Sequence, residues 1–432
     1  MKLIRKIISR VIGSSLFKSA GVYTVTNVLN KALPFLMIPI LTRYLTPAEY
    51  GTVAMVTVLI GFIGPFTGLS ISGGIHRRFY ERDNMDFPAY VANGLFILMA
   101  STITVAMLMT VFGSQVSKIS QVPAGWLWAV VVVSACQFLI SIYLVLLQGQ
   151  VKPLSYGSFQ ILQTALNVGV SLYLVIGMGM GWRGSVLGQV TAFVIFACIA
   201  FVSLLRNGWL RFRIEPAYIK QALKFGVPLI PHAFSGFLMS MTDRIFITNM
   251  VGIADTGIYS VGNQVGMIIG LLAASFNTAY VPWLFQRLNR NDEGMKRKIV
   301  HLTYYYYAVI LAGALVLALG APLFMRLFVG ASFAGATAYI VWFALANAFN
   351  GMYLMVTNYI FYTEKTHLLA TVTFATAALS IPLTYLMIRH FGAIGAAQAA
   401  TVTFFLKFVA TWYMSARVYR MPWSLRYRPE SV

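Results

Sequence analysis

The sequence predicts an all-α integral membrane protein of about twelve transmembrane helices in two six-helix lobes. Three observations carry that fold class. Of 432 residues, 59% are hydrophobic and 10% charged, where soluble domains carry about a quarter charged residues. Continuously apolar runs such as GLFILMASTITVAMLMTVFG and YYYYAVILAGALVLALGAPLF recur along the whole chain, and about 20 such residues cross a hydrocarbon layer of ~30 Å. The runs lack the polar alternation of a barrel strand, so helices satisfy the backbone. Finally, the basic residues fall in alternate connections, as they do when a chain crosses a membrane repeatedly.

Turns and charge clusters place spans near 20–42, 51–75, 88–112, 123–147, 155–177, 184–205, 226–250, 257–283, 301–321, 336–361, 367–388 and 392–415. Before them, Leu3, Ile4, Ile7, Ile8, Val11 and Ile12 share one helical face with bases elsewhere. That pattern predicts an interfacial anchor rather than a cleaved signal peptide. The first span carries Lys31, Pro34 and Pro39 and ends near Arg43; the second closes on His76, Arg77 and Arg78. After the sixth span, the basic segment from Arg206 to Lys224, with EPAYIKQALKFG patterned as an amphipathic helix, leads to the seventh. There Pro228 and Pro231 are followed by Asp243 and Arg244, and the twelfth span holds Lys407. The outer connections are short, so no sizeable outer domain is expected.

The net charge of +21 would suggest nucleic acid in a soluble chain. Here the distribution of charge decides otherwise. Connections on one side hold 24 of the 32 Lys and Arg residues, and the opposite connections hold five: Arg43, Lys118, Arg183, Arg326 and Arg389. Positive charge stays cytoplasmic, so both termini are expected there, with an even number of spans and no nucleic-acid partner. Cys136 and Cys198 lie in apolar runs and are expected to pack as small hydrophobes.

A weak repeat divides the chain into 1–212 and 213–432. AEYG at Ala48–Gly51 is echoed by ADTG at Ala254–Gly257, Tyr173 by Tyr385 and Gln189 by Gln398, at nearly equal offsets. Each half opens with a helix bearing two prolines, Pro34 with Pro39 and Pro228 with Pro231, which are candidate hinges because proline frees a backbone carbonyl. Substrate sites of duplicated transporters lie between such halves.

Charge inside a membrane costs several kcal/mol and faces a partner or a wet cavity. Lys31, Asp243, Arg244 and Lys407 meet that description. Neighbours on a helix point ~100° apart, so Asp243 and Arg244 are each expected to need a partner of their own. Three bases against one acid leave room for an anionic ligand, although an interhelical ion pair would be the structural alternative. Arg77 and Arg78 suit a phosphorylated headgroup, since arginine binds oxygens bidentately, or else serve as ordinary membrane anchors. Intramembrane amides, among them Asn277, Asn347, Asn350 and Asn358, are expected to join helices to one another. The run Tyr304–Tyr307 reads as an interfacial aromatic belt. No metal-ligand spacing, phosphate loop or nucleophile elbow is found, so neither metal, cofactor nor enzymatic activity is expected.

The stretches SMTDRIFITNMVGIADTGIYSVG, LTRYLTPAEYGTVAM and FGAIGAAQAATVTF together resemble the polysaccharide-flippase branch of the multidrug/oligosaccharidyl-lipid/polysaccharide exporter superfamily, bacterial O-antigen repeat-unit flippases above all. The likeness implies two six-helix lobes around a central cationic cavity, alternating access, and a bacterial inner-membrane location. It implies an undecaprenyl-diphosphate-linked oligosaccharide as cargo and polysaccharide polymerase and assembly proteins as partners. By that resemblance Asp243 and Arg244 match the family's Asp-Arg position, and Glu49, Tyr50 and Gly51 match its outer-turn motif. Multidrug members of the superfamily, cation-coupled antiporters, usually carry an acid in the first helix; here that helix has Lys31 instead. The expected binding residues are therefore Lys31, Arg77, Arg78, Arg244 and Lys407, with Asp243 as an ion-coupling or ion-pair residue.

Overall fold

The structure, a computed structural model, describes residues 35–289 and 292–423 together with Thr26, Leu29, Asn30 and Leu33. Lys31, Pro34 and the N-terminal amphipathic segment lie outside the described residues. Among the described residues no strand occurs. Among the described residues nine helical segments are long and apolar enough to span a bilayer, or ten if the bent pair Pro47–Ile63 and Thr67–Phe79 forms one span. The chain forms two compact units, one ending at Asn249 and one beginning at Met250.

The first unit contains α1 (Phe35–Tyr44), α2 (Pro47–Ile63), α3 (Ser72–Phe79), α4 (Phe87–Ser120), α5 (Leu127–Gly149), α6 (Pro153–Leu172), α7 (Gly181–Arg206), α8 (Pro216–Gly226) and α9 (Ile230–Met250). α2 starts sharply because TPAE is a capping box. The Glu49 amide donates to Thr46 Oγ1 at 3.3 Å, and Glu49 Oε2 accepts the Thr46 amide at 2.9 Å. The predicted continuous second span is instead broken, with a bend of 58° between its halves. Pro65 cannot donate, and Gly68, Leu69 and Ser70 take φ values of 75°, 51° and 55°. Ser101 of α4 accepts the freed Gly68 amide at 2.8 Å. Only glycine fits at 68, since a Cβ there would stand 2.5 Å from the Phe138 ring.

The third span was expected near 88–112, yet α4 continues to Ser120, 34 residues in all. Its polar end, GSQVSKIS, contains no proline and only one glycine, so nothing stops the helix until Gln121 takes φ 54°.

The prolines Pro228 and Pro231 do not interrupt a helix interior. Pro228 sits in the 3₁₀ turn Val227–Leu229 joining α8 to α9, and Pro231 occupies the first turn of α9, where the missing N–H costs nothing. Pro39 lies within α1. Pro282, Pro322 and Pro382 also fall inside helices. Both α8 and α9 pack with the preceding spans. Phe234 and Phe237 meet Phe62 with ring centroids 5.6 Å away, and Asn249 Nδ2 donates to the Ile119 carbonyl at 2.8 Å.

The second unit contains α10 (Ile253–Leu288), α11 (Glu293–Phe328), α12 (Thr337–Tyr362), α13 (Thr366–Phe391) and α14 (Ala393–Val418). α12 lies against both α10 and α14. Gly262, Gly266 and Gly270, four residues apart, open the α10 surface to Tyr339, Phe343 and Asn347. Small residues let helices approach where hydrocarbon provides no hydrophobic drive. As expected for intramembrane amides, Asn358 Nδ2 donates to Asn277 Oδ1 at 2.8 Å across the same pair of helices.

The tyrosine run points in several directions. Tyr305 is exposed, Tyr306 stacks on Phe276 with centroids 4.6 Å apart, and Tyr304 and Tyr307 turn onto Trp412. Four consecutive helical residues cover the whole circumference and cannot share one face.

Candidate functional site

Three groups of basic side chains result. The first lies where α3, α4 and α8 meet. Arg77 and Arg78 in the last turn of α3, Tyr90 of α4, and Gln221, Lys224 and Phe225 of α8 line a cavity of about 360 Å³. The sequence places these residues by simple means. Gly73 and Gly74 let the Phe225 ring lie on α3, and Gly226 fits against the Leu69 carbonyl, where a Cβ would come within 2.3 Å. α8 is thereby seated directly on the broken second span. Its opposite flank, Ile219 and Leu223, borders an apolar groove of about 830 Å³ that follows α4 from Phe96 to Val116. Arg78 is ion-paired with Glu81.

The second group is on α9. Arg244 is buried, and its Nη1 lies 3.7 Å from Asp243 Oδ1 and 3.5 Å from Met241 Sδ. Although the two are adjacent on one helix, the long arginine stem folds back and brings the guanidinium towards the carboxylate. The Asp243 carboxylate also accepts the Arg244 amide at 2.9 Å. Tyr50, buried on α2, lies within electrostatic reach of Arg244.

The third group belongs to the second unit. Lys407 on α14 is 8% exposed. Its Nζ stands 3.9 Å from the centroid of the Tyr353 ring, 5.4 Å from that of Phe404, and donates to Asn350 Oδ1 at 3.4 Å. Among the described residues no carboxylate pairs with it. A buried ammonium held by one amide and two rings keeps its charge available to an anion.

The structure therefore brings Arg77 and Arg78 together and pairs Asp243 with Arg244, while Lys407 stands in its own cage. Sequence reasoning missed Lys224, Gln221 and Tyr90. The amphipathic pattern of 215–226 located the helix but not the neighbour it covers. The outer-turn residue Glu49 acts as a tether: besides capping α2, its Oε1 accepts the Trp182 amide at 3.4 Å. The repeat also has a structural meaning, since Glu49 and Asp255 each occupy the first turn of a helix, where a negative charge complements the exposed N–H groups.

An uncharacterized membrane protein of Haemophilus influenzae is 26% identical over 82% of this chain and 85% of its own length. The capsular polysaccharide biosynthesis protein CapF of Staphylococcus aureus is 24% identical over 91% of this chain and 98% of its own. Among solved structures, the lipid II flippase MurJ in an inward closed conformation has a TM-score of 0.69 at 12% identity, covering 94% of this chain and 87% of its own. An inward-facing multidrug resistance MATE family transporter of the MOP superfamily also has a TM-score of 0.69, at 14% identity, covering 90% and 94%. At such identities the likeness concerns the fold. Residues 16–288 match the family described as polysaccharide biosynthesis protein, and this multi-pass membrane chain belongs to that family.

Proposed function

We propose that the protein is a flippase that carries an undecaprenyl-diphosphate-linked oligosaccharide, an O-antigen or related polysaccharide repeat unit, from the cytoplasmic to the periplasmic leaflet. It works by alternating access and catalyses no reaction. In this proposal twelve spans form lobes 1–212 and 213–432 in the bacterial inner membrane, with both termini cytoplasmic. Lys31, Arg77, Arg78, Arg244 and Lys407 attract the diphosphate. Polymerase and assembly proteins receive the product.

The observation that carries this reading is Lys407, buried without a carboxylate among the described residues. A desolvated cation in hydrocarbon is costly unless an anion uses it. A diphosphate moving outward across an inside-negative membrane gains ~2.3 kcal/mol per charge per 100 mV. The remaining barrier is the transit of a polar head, which a cationic passage lowers while the lipid tail stays in the bilayer. In this proposal bending occurs at the proline pairs that open each half, Pro34 with Pro39 and Pro228 with Pro231.

Transport of a fluorescent lipid-linked oligosaccharide in proteoliposomes tests the proposal. Wild-type protein is expected to flip it; equal flipping by an Arg244→Ala/Lys407→Ala double variant refutes the cationic mechanism. A second reading, a cation-coupled multidrug antiporter using Asp243, draws on the MATE-like fold. The pairing of Asp243 with Arg244 weighs against it, because the carboxylate is already engaged by a guanidinium and a coupling cation would have to displace it. Asp243-dependent export of cationic dyes would favour it.

A further inference from the structure

Lys224 and Gln221 of α8 line the cavity together with Arg77 and Arg78 of α3. Four carboxylates flank this region in sequence, three engaged by bases outside the cavity lining and one by Arg78. Glu81 is bound by Arg78, Asp83 by Arg82, Asp86 by Arg211 at 2.8 Å, and Glu215 by Arg213 at 2.8 Å. Among the described residues no carboxylate pairs with Arg77 or Lys224. Two uncompensated cations and a third, partly neutralised one thus converge from separate helices on a cavity of about 360 Å³, room for roughly a dozen waters. Like charges held around one space favour a polyvalent anion within it.

We propose that Lys224 and Gln221 complete, with Arg77, Arg78 and the Tyr90 hydroxyl, a capture site for the diphosphate head of a lipid, and that the bound head clamps α8 onto the broken second span. The identity of the lipid as cargo rests on the flippase reading; the site itself does not. The guanidinium groups offer paired donors to one phosphate, while the Lys224 ammonium and the Gln221 amide reach the other from α8. Because α8 continues through Val227–Leu229 into α9, and Gly226 is seated against Leu69 and Ile71, a head bridging α3 and α8 holds the joint through which α9 and Arg244 would move.

The experiment uses the full chain in nanodiscs of zwitterionic lipid, titrated with farnesyl diphosphate, inorganic diphosphate and farnesol. Farnesyl diphosphate is expected to bind saturably and more tightly than inorganic diphosphate, and farnesol not at all. Lys224→Gln and Arg77→Gln are each expected to weaken binding about tenfold, the loss of one charge-assisted contact, whereas Lys118→Gln leaves it unchanged. In a Cys136→Ala/Cys198→Ala background, farnesyl diphosphate is expected to slow alkylation of a Gln221→Cys variant, a readout that survives if Lys224→Gln folds poorly. Unchanged affinity in Lys224→Gln together with unchanged labelling at 221 overturns the site. Inorganic diphosphate binding as tightly as farnesyl diphosphate overturns the assignment to a lipid. Lys224-dependent binding without any flipping would remove the transport reading and leave the capture site standing; flipping that is lost in Lys407→Ala yet indifferent to Lys224→Gln would do the reverse.

Discussion

Replacing Lys407 by methionine separates the two roles a buried base can have. Methionine keeps the linear stem and much of the volume while removing the ammonium. In the structure that group has one long hydrogen bond, 3.4 Å to Asn350, and stands 3.9 Å from the Tyr353 ring centroid. A desolvated cation–π contact is worth ~2 kcal/mol, and the amide contact adds about 1 kcal/mol, less than a well-formed charged hydrogen bond. Against these stands the desolvation of an unpaired ammonium, several kcal/mol per ion. Desolvation equals or exceeds the gains, so Lys407→Met is expected to be neutral or up to ~2 kcal/mol more stable, while flipping of a lipid-linked oligosaccharide falls at least about tenfold. Thermal denaturation in detergent and proteoliposome transport measure the two quantities on one preparation. A variant that melts at a distinctly lower temperature shows the cage to be a structural staple. A variant that transports normally removes the cation from the mechanism.

Three further outcomes follow from packing and capping. Gly266→Val is expected to destabilise the second unit by ~1–3 kcal/mol, because a Cβ at 266 would stand 2.3 Å from Phe343 Cβ and 3.0 Å from its carbonyl carbon; an unchanged melting curve would show that α10 and α12 do not approach as described. Asn358→Leu leaves the Asn277 carbonyl oxygen without its donor, at a cost of about 1 kcal/mol, and the Asn277→Leu/Asn358→Leu pair should recover stability in a double-variant cycle; additive losses would contradict the hydrogen bond. Glu49→Ala should cost about 1 kcal/mol by removing the cap of α2 and the tie to Trp182, while Glu49→Gln keeps one of the two acceptor oxygens and is expected to retain transport. Abolished transport in Glu49→Gln would instead make the carboxylate a coupling group.

Much of the fold was legible because hydrocarbon imposes a simple rule on a helix: about 20 apolar residues without charge. That rule located helices such as α5, α7, α12 and α14 to within a few residues. It failed where the signal is something other than hydrophobicity. The end of α4 is polar but contains no strong helix breaker, and the 58° break in the second span depends on left-handed residues at Leu69 and Ser70 that composition does not mark. The three-glycine stripe of α10 lies in GNQVGMIIG, a spacing that permits close helix approach but does not name the partner helix.

For the candidate site the division is sharper. Charge avoidance by the rest of the chain singled out Asp243, Arg244 and Lys407, since any charge retained inside a span must offset its insertion cost. Which charges are compensated could not be read from a linear string. Arg244 folds back on its neighbour, Lys407 meets rings and an amide, and Lys224 lines one cavity with Arg77, far away in sequence. Membrane residence, helical class and the sign of the charge are properties of short windows, and the sequence by itself determined them. Partner choice and cavity formation depend on side chains from distant helices meeting at ångström range, and only the tertiary structure decided those.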